Sequence, residues 1–238
     1  MRLKADLLLL SATDLSKHLG CRHLTELDRA VAEGNLAKPD WGSPMLALLQ
    51  KRGLAHEAAY LADIQDDGCE ILDIGELEGS AAADRTIQAM RSGRDAIVQA
   101  ELWDGRWSGR ADILVKVPQP SELGDWSYEV IDTKLSQETK GGTVLQLCVY
   151  TELVAKIQGR PAELMHVVKP GEGFPKESFR FADFSAYYRI VRKRLESAVA
   201  QPPGDHYPMP VPQCDICAWW KSCDEKRHDD DHLCLVAG

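Results

Sequence analysis

The sequence predicts an α/β protein in which helices flank a central mixed β-sheet. Three observations carry this. The hydrophobic period changes from helical spacing to two-residue alternation near position 96, three strand-like runs then follow in close succession, and a strongly helical run separates them from a further strand and helix.

Taken in order, Ser11 and Thr13 are good N-caps, and Leu15, Leu19, Leu24 and Leu27 recur at helical spacing, so one helix is expected up to Gly34. Residues 44–64 read as a second helix, with Leu46, Leu49 and Tyr60 apolar around Gly53, and residues 81–90 as a third. The runs IVQAELW (97–103), RADILVKV (110–117) and YEVIDTKL (128–135) are rich in β-branched residues and alternate, and a turn at Asp104-Gly105 makes the first two a hairpin. After Gly141-Gly142, residues 143–157 are helical, ELMHVV (163–168) is a strand and 184–200 a helix. Pro202, Pro203, Pro208, Pro210 and Pro212 then make a stiff, extended connector. A single domain over 1–238 results: a helical segment (1–93), a core (94–200), and the connector with a cysteine-rich segment (201–238).

Hydrophobic residues at 44% and charged residues at 27% exclude a collagenous, coiled-coil or wholly disordered chain. A net charge of −9 argues against a protein that coats phosphates generally but allows a local basic groove. Arg180, Arg189, Arg192, Lys193 and Arg194 form the densest positive stretch. The early apolar run 7–10 is too short for a signal-peptide core, and no membrane span is visible, so a reducing cytoplasm is expected. In that compartment clustered cysteines serve as metal ligands more often than as disulfides.

Cys214, Cys217 and Cys223 bring three thiols together, and a metal ion or cluster needs a fourth ligand. Cys21, Cys234, His228 and His232 are the candidates. Spacing alone does not choose between a zinc knuckle and an iron-sulfur cluster. Cys69 and Cys148 are isolated among apolar residues and read as buried free thiols. Trp219 and Trp220 either stack on unpaired bases or cover the thiols.

A second constellation lies on the strands. Asp132 and Lys134 share parity and project from one face, and Asp112 on the preceding strand has the parity opposite to its neighbours Ala111 and Ile113. Carboxylates on two adjacent strands, with an amine two positions beyond one of them, suit a divalent cation and a positioned water, as in phosphodiester hydrolysis. Singly, each residue also fits a structural role: D-x-K as a surface ion pair, His56 as an ordinary helical histidine, and Gln146 and Tyr150, four apart, as one face of a helix. The order of these features together is the specific signal.

In that order the chain resembles the PD-(D/E)xK nuclease superfamily in its RecB-like, iron-sulfur-stapled branch, which includes the CRISPR-associated RecB-like exonucleases and the nuclease domains of AddAB-type helicase-nucleases. The motifs are Cys21; His56; Asp112 in Gly109-Arg110-Ala111-Asp112; Asp132-Thr133-Lys134; Gln146 and Tyr150; and Cys214, Cys217 and Cys223, spread over most of the chain. The segments around Cys21 and Cys214 look most like RecB-like domains joined to a superfamily 1 helicase. The resemblance implies a restriction-endonuclease-like core and a 4Fe-4S cluster on Cys21, Cys214, Cys217 and Cys223. It also implies Mg or Mn held by His56, Asp112, Asp132 and the Thr133 carbonyl, with Lys134 orienting the attacking water and Gln146 and Tyr150 positioning the strand or the lysine. The implied activity is a DNA exonuclease acting on single strands or ends, with a helicase or a CRISPR adaptation complex as partner. Two other classes stand beside it: a non-catalytic nucleic-acid-binding module, and a zinc-ribbon interaction protein.

Overall fold

The computed structural model describes residues 1–236 except Asp6, Trp41, Ser43, Pro203, Asp205 and the side chain of Pro44. Pro203 of the expected connector and the last two residues, 237 and 238, therefore lie outside the described residues.

The chain opens with a short antiparallel pair, β1 (Arg2–Lys4) and β2 (Leu7–Leu9). Helices α1 (Ala12–Gly20) and α2 (Arg22–Ala32) follow, then the long α3 (Pro44–Asp66), β3 (Ile71–Asp73) and α4 (Gly79–Arg91). The hairpin β4 (Ala96–Trp103) and β5 (Ser108–Val117) leads to β6 (Ser127–Thr133), α5 (Gly141–Gln158), β7 (Leu164–Val168), β8 (Lys176–Arg180) and α6 (Phe181–Ala200). A 3₁₀ turn (Pro212–Ile216) and α7 (Trp220–Asp229) come last before a final short turn. The expected class is observed: an α/β architecture with a six-stranded mixed sheet, β3-β4-β5-β6-β7-β8, and seven α-helices among the described residues. β3–β4 and β6–β7 are parallel, and the other neighbours are antiparallel.

The helix expected from position 11 to 34 is in fact two. Cys21, extended at φ −157° and ψ 114°, ends α1 and caps α2, its sulfur accepting from Leu24 N–H at 3.4 Å. Ser11 rather than Thr13 is the first cap, in a reciprocal box with Asp14. The strand expected over 128–135 ends at Thr133, and Lys134 lies just past its end, its N–H still bonded to the Val168 carbonyl of β7. The three-residue strands are too short to show a period, and the charged edge strand β8 and the polar α7 lack an apolar stripe, so these went unexpected.

Most of the core lies where α1, α4, α5 and α6 meet the sheet, around Leu15, Leu114, Tyr128, Val130, Leu147 and Leu195. A smaller cluster joins Tyr60 of α3 to Ala96, Val98, Ile113 and Ile131. Strand alternation is broken at one place. Ile97 faces the larger core and Val98 the smaller, yet Ala100 and Leu102 face the larger core as well; across the pair, Ile113 and Ala111 likewise part company. Gln99, at φ +53°, sits at the break, and the register that pairs Val98 with Ile113 and Ala100 with Ala111 sets it across from Asp112. Among the described residues no helix is long and apolar enough to cross a membrane.

Candidate functional site

β5 and β6 bring the two aspartates together. The register that pairs Ile113 with Ile131 continues to Asp112 beside Asp132, and Asp112 Oδ2 accepts from the Thr133 backbone N–H at 3.0 Å. Asp132 is buried, 4% exposed, and Lys134 Nζ stands 2.6 Å from its Oδ2. That contact pairs the buried carboxylate with the ammonium. Burial pushes the Asp132 carboxyl up to about 7; the Lys134 ammonium opposes the shift and the Asp112 carboxylate adds to it.

Tyr150 of α5 belongs to the same neighbourhood. Its phenol is raised by burial and then by Asp132, Asp112 and Glu101. Gly109 of β5 makes room for it: a β-carbon there would lie 2.7 Å from Tyr150 Cε1, an overlap with a rigid ring. The glycine of the Gly109-x-x-Asp112 motif thus seats the tyrosine while the aspartate meets its partner on β6.

His56 reaches the same end of the sheet but not the carboxylates. Its Nε2 is 3.4 Å from the Val168 carbonyl, which also accepts from Lys134 N–H, and its ring lies against Phe174. Thr133 contributes its backbone N–H to Asp112. Gln146 is half-buried in α5, and no contact ties it to the aspartates.

Two side chains outside the sequence motifs complete the site. Glu57, beside His56 on α3, accepts from Gln99 Nε2 at 2.6 Å; its carboxyl is raised by burial, then by Asp112, against the pull of Gln99. Gln99 holds Glu57 from its left-handed backbone conformation, which costs a non-glycine residue about 1 kcal/mol or more. The sequence signals were slight: a carboxylate adjoining the histidine, and a glutamine interrupting an apolar strand.

The four cysteines lie beyond the C-terminal end of α1. Cys21, Cys214, Cys217 and Cys223 line one narrow cavity with Trp219 and Trp220. The 3₁₀ turn holds Cys214, whose sulfur accepts from Val211 N–H at 3.4 Å, and α7 carries Cys223. Burial raises the Cys21 thiol, with Cys214 and Cys217 adding to it, and pushes Cys223 up to about 11, with Cys217 and Cys21 adding. The other candidates for fourth ligand are elsewhere: His232 stacks on Tyr207 and accepts from Cys234 N–H, and His228 bonds the Asp224 carbonyl. Trp219 is buried and Trp220 is 46% exposed. Cys148 is fully buried as expected, whereas Cys69 is only half-buried. Among the described residues no three His, Cys, Asp or Glu side chains are grouped as a ready-made metal site.

The expected basic stretch divides. Arg192 is engaged by Glu152 and Glu196 (3.0 Å), and Arg180 faces Glu163 at 3.7 Å. Lys193 and Arg194 remain exposed on α6.

No family model and no curated protein matches the chain. Among solved structures the chain is similar to the one described as "Crystal structure of SSO0001", at 17% sequence identity over 94% of this chain and 89% of that chain, with a TM-score of 0.41.

Proposed function

We propose that this chain is a metal-dependent DNA nuclease that hydrolyses phosphodiester bonds at single strands or ends. The observation that carries the reading is the pair Asp112 and Asp132 beside Lys134, with Asp132 buried. Glu57 adds a third carboxylate within their field. Three acidic groups against one ammonium leave an uncompensated negative charge, and hard oxygen donors of this kind suit Mg or Mn. Asp112, Asp132 and the Thr133 carbonyl are the residues to hold the ion. His56 would join them by giving up the Val168 carbonyl, and Glu57 by giving up Gln99.

Bound there, a divalent cation would supply positive charge beside the phosphate being hydrolysed. The chain's own groups do the rest. Lys134 orients a water through its ammonium and favours the deprotonated form of that water. Tyr150, seated on Gly109, borders the carboxylates on the α5 side, where it contacts the strand or the lysine. Gln146 lies one helical turn before it.

The four thiols fit a structural 4Fe-4S cluster in their donor set, and a reducing compartment such as the cytoplasm keeps them available. They would tie the α1–α2 joint to the C-terminal segment. A helicase or a CRISPR adaptation complex is the partner that the resemblance suggests.

The test is Mn-dependent digestion of labelled single- and double-stranded DNA by the chain and by Asp112→Ala and Lys134→Ala. Cleavage lost in both variants, with unchanged circular dichroism, is expected. Retained cleavage sinks the catalytic assignment, and no cleavage by the unaltered chain leaves the non-catalytic binding module as the better reading. A broad visible absorption band in anaerobically purified protein tests the cluster; a colourless protein with stoichiometric zinc refutes it.

A further inference from the structure

A cavity of about 560 Å³ opens between α1, α2 and the C-terminal half of α6, a size typical of small-ligand sites. Arg22, Lys193 and Arg194 line it, and among the described residues none of the three has an ion-pair partner. What sets them apart is that all three line one cavity together with a buried histidine. Arg29, also in the wall, is tied to Glu33 at 2.6 Å and to the Gln201 carbonyl. The acid in the wall, Glu26, is engaged by His206.

His18 lines the same cavity at 6% exposure. One ring nitrogen meets Thr25 Oγ1 at 2.9 Å, and the other has no partner among the described residues. Arg22 and Arg194 depress its protonation after burial does, a sign that the cavity is electropositive. Ile190, 52% exposed, and Val199 supply an apolar wall beside the cations.

We propose that this cavity binds the phosphate of a nucleotide, with Arg22, Lys193 and Arg194 on the phosphate oxygens, His18 as a neutral hydrogen-bonding partner and Ile190 against the sugar or base. Unpaired cations held together repel one another, and an anion with several acceptor oxygens relieves that. The phosphate belongs either to a free nucleotide or to a nucleotide within a strand. None of these residues belongs to the carboxylate site, so the inference stands apart from the nuclease reading.

The experiment is a binding titration on the full chain in chelator, using deoxyadenosine monophosphate, deoxyadenosine, inorganic phosphate and a labelled six-nucleotide single strand. The comparison proteins are Arg22→Gln/Arg194→Gln, altered at the rim, and His18→Gln. The monophosphate is expected to bind at least about tenfold more tightly than the nucleoside, a difference of about 1.4 kcal/mol, and the double variant to lose as much. If the strand binds and displaces the monophosphate, with loss in the double variant, the phosphate comes from nucleic acid; if only the monophosphate binds, it comes from a free nucleotide. Absence of binding by every phosphate probe at millimolar concentration, or binding unchanged in a folded double variant, overturns the inference.

Discussion

Gly109 lies against the ring of Tyr150 so closely that a β-carbon on it would stand 2.7 Å from Cε1. The first motif residue on β5 and the last on α5 are thus a single packing unit. Gly109→Ala is expected to cost about 1–3 kcal/mol, as overpacking does, because the ring is rigid and partly buried against the core. Combined with Tyr150→Ala, the alanine at 109 meets no ring, so the double variant loses less than the sum of the single losses. Denaturant unfolding of the four proteins checks this, and strictly additive losses would contradict the contact.

The crowded carboxylates predict a trade between stability and metal affinity. Asp112→Asn keeps an oxygen for the Thr133 N–H while removing one negative charge beside Asp132. In chelator this variant is expected to be more stable than the unaltered chain by about 1 kcal/mol. Saturating Mn reverses the order, since a ligand at 100 times its Kd adds about 2.7 kcal/mol only where it binds. Thermal melts with and without Mn give both values; a less stable variant in chelator would refute the repulsion.

Asp104 sets a pH dependence. Its carboxylate accepts from Trp107 N–H at 2.7 Å and Arg106 N–H at 3.0 Å and pairs with Lys156. Burial pushes its pKa up, but these partners outweigh that and hold it below the ordinary aspartate value. A depressed folded value means stability that is present above about pH 4 and is lost as the pH falls through the lower, folded value. Asp104→Asn is therefore expected to be about 1–3 kcal/mol less stable at pH 7, with the gap closing in acid. A gap of equal size at pH 2 and pH 7 would exclude the assignment.

The thiols should separate by reactivity. Cys148 is fully buried, and burial followed by Glu152 pushes it up to about 12. It is expected to stay unlabelled by a thiol reagent at pH 8 in the native chain, while half-buried Cys69 and Cys234 react. Mass mapping of labelled peptides reads this directly, and early labelling of Cys148 would mean that α5 opens readily.

The sheet core was legible because β4, β5, β6 and α5 carry long apolar and β-branched runs, and Asp112 and Asp132 were legible as candidates because each is a carboxylate set within such a run. What parity could not show is the reversal at Gln99 and Asp112, where a left-handed residue turns both strands over and draws Glu57 into the site. The split at Cys21 was hidden for a similar reason: leucines continue at helical spacing through a residue whose backbone is extended. His56 is placed near the site by the length of α3, but which group its ring meets depends on β7, 112 residues away.

The break at Cys21 also has a mechanical meaning. One extended residue is the pivot of two helices, and its side chain faces the C-terminal thiols while α1 lies along α5, with Ser16 Oγ bonded to the Gly142 carbonyl at 2.9 Å. From that joint α1 runs onto the helix that carries Gln146 and Tyr150. The thiol cavity and the aspartate pair are therefore joined through one helix of 9 residues and one of 18.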